Sequence, residues 1–351
     1  MPDLSIQTFL PQVKKYLQAA RPLNIPNWLP DKAFTIEALA QGEYNMNFLI
    51  QQDEISWVLR CNTGSQIGLT KQEQIAYEYQ TLVLLEPAEI APIPYFLDNS
   101  FRFLPYGILG MSYLAGEKLD YQRDLEDAAR LMAKYHQLEV SQEAVHLIRE
   151  DHPLSLTFER CQRMMQVYLD SDLAEPNIKA YLQEVRAWAN EARHKEEYYI
   201  HDPWNGIINT EVNNTNWIVD RQAKTFHLVD WEKPLWGDPS QDLSHFRVPT
   251  TTLWKTNYRM SEEDKSKMMR AYQEEISDPH LRNTINERTR LRDPFNCLRG
   301  VSWCAMAWVQ YRMGDHLLKN PDTFRKLSLY VDINFLRSLF DPYLTSKDWV
   351  T

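Results

Sequence analysis

The chain has 351 residues, 44% hydrophobic, 25% charged and 12% aromatic, a length that suggests two domains and a composition that excludes disorder, collagen and simple low complexity. Its 38 Lys and Arg against 48 Asp and Glu give a net charge of -10, opposite in sign to the usual nucleic-acid-binding footprint, so nucleic acid and anionic membrane surfaces are poor partners. Glycine is scarce, with 10 residues or about 3% against a usual ~7%, so any phosphate loop must be lean in glycine.

The opening MPDLSIQTFLPQVKKYLQ lacks the basic segment and continuous apolar core of a signal peptide, and no run of about 18 apolar residues follows. A soluble, cytoplasmic protein is expected. Residues 5–20 have helical apolar spacing, whereas FTIEAL, NFLIQQ and SWVLRCN are short β-type runs that predict a small sheet at 34–61. Residues 74–86 return to apolar positions three and four apart, one helix after the sheet, and the prolines of AEIAPIPYFLDNS end it. FRFLPYG and ILGMSYL read as a further strand pair. Helical stretches then dominate, at 124–138, 153–171, 176–194, 261–276, 295–318 and 334–343. The expected class is α+β, a small antiparallel-sheet lobe at residues 1–111 and a larger α-rich lobe at 112–351. Cys61, Cys161, Cys297 and Cys304 show neither CxxC spacing nor disulfide-scaffold density and read as reduced thiols.

One segment interrupts the helices, YYIHDPWNGIINTEVNNTNWIVDRQAKTFHLVDWEKPLWGDPSQDLSHF at 198–246. Its β-type pieces at 217–219 and 225–229 predict a hairpin with polar side chains at its ends. Glu211 and Asn216 precede the first piece, and Asp230 closes the second. A carboxylate that takes a hydroxyl proton, an amide that holds a divalent cation and a second carboxylate for that cation are the parts phosphoryl transfer needs. Oxygen ligands suit magnesium. Taken alone, Asn216 in NNTN also reads as an ordinary turn residue, and no spacing rule gives His201 or Asp202 a role.

NTEVNNTNWIVD at 209–220 resembles the HGDxHxxNIL catalytic loop of the aminoglycoside phosphotransferase and choline kinase family, and LVDWEKPLWGDPSQDL resembles its metal-binding segment with the trailing GDPxxDL. Upstream, LAQGEYNMNFLI resembles the family's nucleotide loop, with Gly42 and Asn45 on its GxxN core. The resemblance implies phosphate contact for Arg60 of WVLR, its partner acid in Glu78 of EYQTLVLL, and a hinge at MSYLAGEKL that sets Met111 and Tyr113 near an adenine. LMAKYHQLE matches a helix ending in histidine, and the similarity runs from about 35 to 246. It further implies a two-lobed protein-kinase-like fold, bound ATP and magnesium, Glu211, Asn216 and Asp230 as the catalytic set, and Asn216, Asp230 and Glu232 at the metal. Asp242 of GDPSQDL is expected to hydrogen-bond backbone near the catalytic loop. Among the departures from the pattern, Glu211 stands for Asp, Asn209 for His and Gln41 for the first loop glycine. The extra methylene of Glu211 matters, since a misplacement of about 1 Å costs on the order of 100-fold in rate. Arg60 and Glu78 also read as a plain surface ion pair.

The acceptor falls to the α-rich lobe, where Trp303, Trp308 and Trp254 offer aromatic faces for a cationic or amino-bearing small molecule. Aromatics at helical spacing are equally the stuff of a core. Histidines such as His136 read as satisfied core residues, and no HExxH, GxxxxGK[ST], GxGxxG, GxSxG, HRD or DFG stands in the sequence. The expectation is an ATP- and magnesium-dependent phosphotransferase acting on a hydroxyl of a small molecule. The alternative is a nucleotide-binding relative without turnover. Oligomeric state is not legible.

Overall fold

The computed structural model describes residues 6–22, 24–42, 44–140, 146–314 and 321–346. These fall into two compact units: the described residues of Met1–Leu119, Leu138–Ile148 and Asn216–Pro234, and those of Asp120–Gln137, Arg149–Thr215 and Leu235–Thr351. The class is α+β, as the change from short β-type runs in the first third of the sequence to long helical stretches predicts. Among the described residues no helix is long and apolar enough to cross a membrane.

The first unit opens with helix α1 (Ile6–Ala20), strands β1 (Thr35–Gln41), β2 (Asn45–Gln52) and β3 (Ile55–Asn62), helix α2 (Lys71–Leu85), and strands β4 (Pro94–Asp98) and β5 (Gly107–Ser112). The five strands form one antiparallel sheet in the order β1-β2-β3-β5-β4. Helix α1 turns Phe9, Val13, Tyr16 and Leu17 into a cluster with Phe48, Ile50, Trp57 and Leu59 of the central strands. Spacings of three and four keep those four residues on one helical face. Helix α2 starts at a capping box, with Glu73 N–H donating to Thr70 Oγ1 (3.3 Å) and Thr70 N–H to Glu73 Oε2 (2.9 Å).

One strand assignment is corrected. FRFLPYG forms no strand before Gly107, and β5 pairs instead with β4, inside the proline-rich stretch read as a break. Phe101 lies at φ 53, which turns the chain away from extended geometry. Pro94 is tolerated because it is the first residue of an edge strand, where no ladder donor is needed.

The chain continues through α3 (Leu125–His136), α4 (Pro153–Asp170), α5 (Pro176–Ala192), α6 (Glu197–His201) and β6 (Gly206–Ile208). The hairpin β7 (Trp217–Asp220) and β8 (Thr225–Leu228) belongs to the first unit. It is followed by β9 (Leu235–Gly237), α7 (Ser240–Arg247), α8 (Pro249–Lys255), α9 (Glu262–Glu275), α10 (Pro279–Met313), α11 (Pro321–Tyr330) and α12 (Ile333–Leu344). Helices α3, α4, α5, α9 and α12 lie within a few residues of the expected ones. Helix α10 differs: it begins at Pro279 and runs through Pro294, while residues 315–318 of the expected helix lie outside the described residues. A polar run with a proline does not look like a core helix. Here its buried Arg288 and Arg292 are paired with Asp238 (2.6 Å) and Glu150 (2.5 Å), which makes burial of those charges tolerable. The second unit's core gathers Phe158, Tyr168, Leu182, Trp188, Phe295, Val301 and Phe340. All four cysteines are buried and unbridged.

Candidate functional site

In the first unit the hairpin sets the geometry. Trp217 pairs with Leu228, and beyond that pair Val229 N–H donates to the Asn216 carbonyl at 2.8 Å. Asn216 and Asp230 therefore stand at the same open end of β7 and β8. Asp230 itself lies at φ 63, a left-handed conformation that Asp tolerates better than most residues.

Asp230 Oδ1 accepts from Arg60 Nη2 at 2.8 Å. The same guanidinium, at the buried end of β3, ion-pairs with Glu78 of α2 at 3.0 Å and lies 3.5 Å from Glu232. The Arg60 and Glu78 side chains are only 5% and 3% exposed, so the surface-pair alternative does not hold. Burial lowers the affinity of Arg60 for its proton, and Glu78, Asp230 and Glu232 together more than reverse that. Burial pushes the Glu78 carboxyl up to about 7, with Arg60 pulling against it and Asp230 and Glu232 adding to the rise. Three carboxylates on one buried guanidinium leave an anionic surplus that suits a divalent cation. The hard oxygens of Asn216 and Asp230 are the donor types magnesium takes.

Glu232 sits differently. Its Oε2 accepts from Asn45 Nδ2 and its Oε1 from Gln66 Nε2 at 2.9 Å, while its backbone carbonyl accepts from Gln74 Nε2 at 2.5 Å. Asn45 is oriented in turn by Asn62, whose Nδ2 donates to Asn45 Oδ1 at 2.9 Å. Both carboxylate oxygens of Glu232 are thus held by amides. Among the described residues no three His, Cys, Asp and Glu side chains gather as a metal set. Gly42 N–H donates to the Asn45 carbonyl at 2.9 Å and closes the turn between β1 and β2, whose residue Glu43 lies outside the described residues. Met111 is a buried residue of β5, and Tyr113 follows the strand half-buried.

In the second unit the segment after β6 is fixed by Asp242 of α7. Asn209 N–H donates to its Oδ2 at 2.7 Å, Thr210 N–H to its Oδ1 at 2.8 Å, and Tyr135 Oη to Oδ2 at 2.7 Å. His136 Nε2 lies 3.3 Å from Oδ2 and its Nδ1 2.9 Å from Tyr272 Oη, so this histidine is a buried structural residue, as expected. Burial works against the Asp242 carboxylate, but His136, the Asn209 N–H and Tyr135 hold its proton affinity below the usual value. A carboxyl depressed on folding contributes stability above its unfolded value of 3.8, lost as the pH falls through the folded one. Asp242→Asn should therefore destabilise the protein by about 3 kcal/mol at pH 7, seen as a lower melting temperature, and the deficit against wild type should shrink below pH 4 in thermal melts.

Glu211 follows that anchor. Its N–H donates to Asn209 Oδ1 at 2.9 Å, and its carboxylate is paired with Arg299 of α10, whose Nη1 also donates to the Thr210 carbonyl at 3.0 Å. Thr210, where the resembled motif has glycine, lies at φ 72. Arg299 went unseen in the sequence, because it lies 88 residues from Glu211 and no spacing rule joins them. Asp202 pairs with His280 at 2.8 Å and Arg288 at 2.6 Å, and His201 is exposed beside Glu197.

The three tryptophans line the helical core. Trp254 meets Trp303 edge-on at 5.5 Å, Trp308 packs on Tyr168 at 5.6 Å, and cations of the chain already sit over two of the faces, Lys255 over Trp254 and Arg312 over Trp308.

Residues 35–274 match the family model described as the phosphotransferase enzyme family. Among solved structures, the Plasmodium vivax ethanolamine kinase is similar at TM-score 0.65 and 11% identity, covering 95% of this chain and 91% of that one. The choline kinase of Cryptosporidium parvum Iowa II is similar at TM-score 0.63 and 10% identity, covering 97% and 98%. A spectinomycin phosphotransferase, solved in complex with ADP and its antibiotic, is similar at TM-score 0.59 and 11% identity, covering 89% and 93%. The fold is thus that of the protein-kinase-like small-molecule kinases. No curated protein matches the chain.

Proposed function

Because the chain belongs to the phosphotransferase enzyme family, we propose that it is an ATP- and magnesium-dependent kinase that phosphorylates a hydroxyl of a small molecule. The observation that carries the reading is the hairpin end where Asn216 and Asp230 stand together, with Asp230 tied to the buried pair of Arg60 and Glu78. Asn216 and Asp230 would hold magnesium, and a bound metal nucleotide supplies neutralised phosphates and a leaving ADP. Glu232 keeps Asn45 and Gln66 in register rather than offering oxygens outward. Gly42 and Asn45 shape the turn expected over the phosphates, and Met111 and Tyr113 flank the adenine position.

Glu211 is the proposed base. The acceptor oxygen attacks the γ-phosphorus, the bond from that phosphorus to the β–γ bridging oxygen breaks, and the hydroxyl proton passes to the Glu211 carboxylate. Amino alcohols and aminoglycosides are the first acceptors to assay, since similar folds act on ethanolamine, choline and spectinomycin, whereas Trp254, Trp303 and Trp308 are taken up in the helical core and carry no part of this reading.

A thermal-shift screen tests the binding half. ATP at about 100 times its dissociation constant should stabilise the protein by about 2.7 kcal/mol, and only with magnesium present. Coupled ADP release over amino alcohols, guanidines and aminoglycosides tests transfer. Magnesium-dependent binding with no ADP released for any acceptor would favour nucleotide binding without turnover, and no shift with ATP or GTP would remove both readings.

A further inference from the structure

The catalytic-loop segment departs from the resembled motif at three successive residues, and each departure has its own partner in the structure. Asn209 keeps its amide oxygen on the Glu211 N–H. Thr210 is β-branched and left-handed at φ 72, a strained choice that persists only where the surroundings over-determine it. They do so here: Asp242 takes its N–H at 2.8 Å and Arg299 donates to its carbonyl at 3.0 Å, so the peptide units on both sides of the residue are pinned. Glu211, longer than Asp by a methylene, has its carboxylate paired with the other arm of the same guanidinium.

We propose that Arg299 is a positioning residue, a two-point clamp that fixes the Thr210 carbonyl with one nitrogen and the Glu211 carboxylate with the other, and so aims a longer acid where the family uses Asp. This rests on the reading of Glu211 as the base. Arg299 is well placed for the task. It is carried on α10 between Leu298 and Val301, both buried, so its backbone is anchored in the core while its side chain, 29% exposed, reaches the loop. A planar guanidinium presents two donors at a fixed spacing, which a lysine ammonium does not. The pairing also means that a cation already occupies the neighbourhood of the proposed base.

The test is a double-mutant cycle on kcat, read by coupled ADP release with the acceptor found in the screen, or with water where none is turned over. Arg299→Gln should lower kcat by about 100-fold, the scale of a misplacement near 1 Å, with the KM for ATP nearly unchanged. Arg299→Lys should restore only part of the loss. Glu211→Asp should cost a similar factor in wild type and far less in the Arg299→Gln background, because both changes remove the same placement. Hydrogen exchange gives a readout that needs no turnover: the Thr210 and Glu211 amides should exchange about tenfold faster in Arg299→Gln. Intact kcat in Arg299→Gln, or losses that simply multiply, overturns the proposal. If the wild type transfers phosphate to nothing, the kinase reading fails and with it the aiming of a base; exchange then decides the two-point contact of Arg299 alone, faster exchange upholding it and unchanged exchange sinking it.

Discussion

Glu211→Gln should lower kcat by about 100- to 10,000-fold, the range a general base contributes, while ATP affinity and magnesium-dependent stabilisation hardly move. Gln has the size of Glu and can still accept from Arg299, so the two-point contact at Thr210 and residue 211 is weakened rather than abolished. What disappears is the group that takes the acceptor's proton. The effect should therefore fall on kcat and leave nucleotide binding alone, because Arg60, Glu78, Asn216 and Asp230 are untouched. Steady-state kinetics paired with thermal shifts read both halves. Glu211→Gln with wild-type turnover would remove Glu211 from the reaction. A loss of nucleotide binding would recast it as part of the nucleotide site.

Much of this arrangement was legible because it is local in sequence. The hairpin has two apolar runs and a short polar turn, so the positions of Asn216 and Asp230 at its ends follow from spacing alone. Asp242 sits in a motif whose resemblance already implied backbone contacts, and four donors converge on it. Long-range pairing was not legible. Nothing in EKP says whether Glu232 turns toward a metal or toward Asn45, which lies 187 residues away. Arg299 stood in a segment read for its tryptophans, and a charged residue on a helix carries no mark of its partner. The early part of α10 was hidden for a related reason: hydrophobic periodicity cannot see Arg288 and Arg292, whose burial depends on acids contributed by distant elements. Strand β4 was lost to Pro92 just before it and Pro94 at its start, because sequence alone does not reveal which strand will lie at the edge.

Asp230→Asn should abolish the magnesium-dependent part of ATP stabilisation and lower kcat/KM by about 1,000-fold or more, a factor that corresponds to roughly 4 kcal/mol of lost charge stabilisation. The substitution isolates charge from shape. Asn tolerates the left-handed backbone at φ 63, and its side-chain oxygen can still accept from Arg60, which donates to Asp230 Oδ1 at 2.8 Å in the native chain. Folding should thus be little changed while the anionic donor is gone. Glu232→Gln is the informative contrast, since it too removes one negative charge from the surroundings of Arg60. Its oxygens are already taken by Asn45 and Gln66, so the expected result is a lower melting temperature without nucleotide, with the added stabilisation by magnesium and ATP retained. The two variants should therefore separate in opposite columns of one thermal-shift experiment. Equal loss of the magnesium effect in both would make Glu232 a ligand as well, and its retention in Asp230→Asn would move the metal away from this hairpin end.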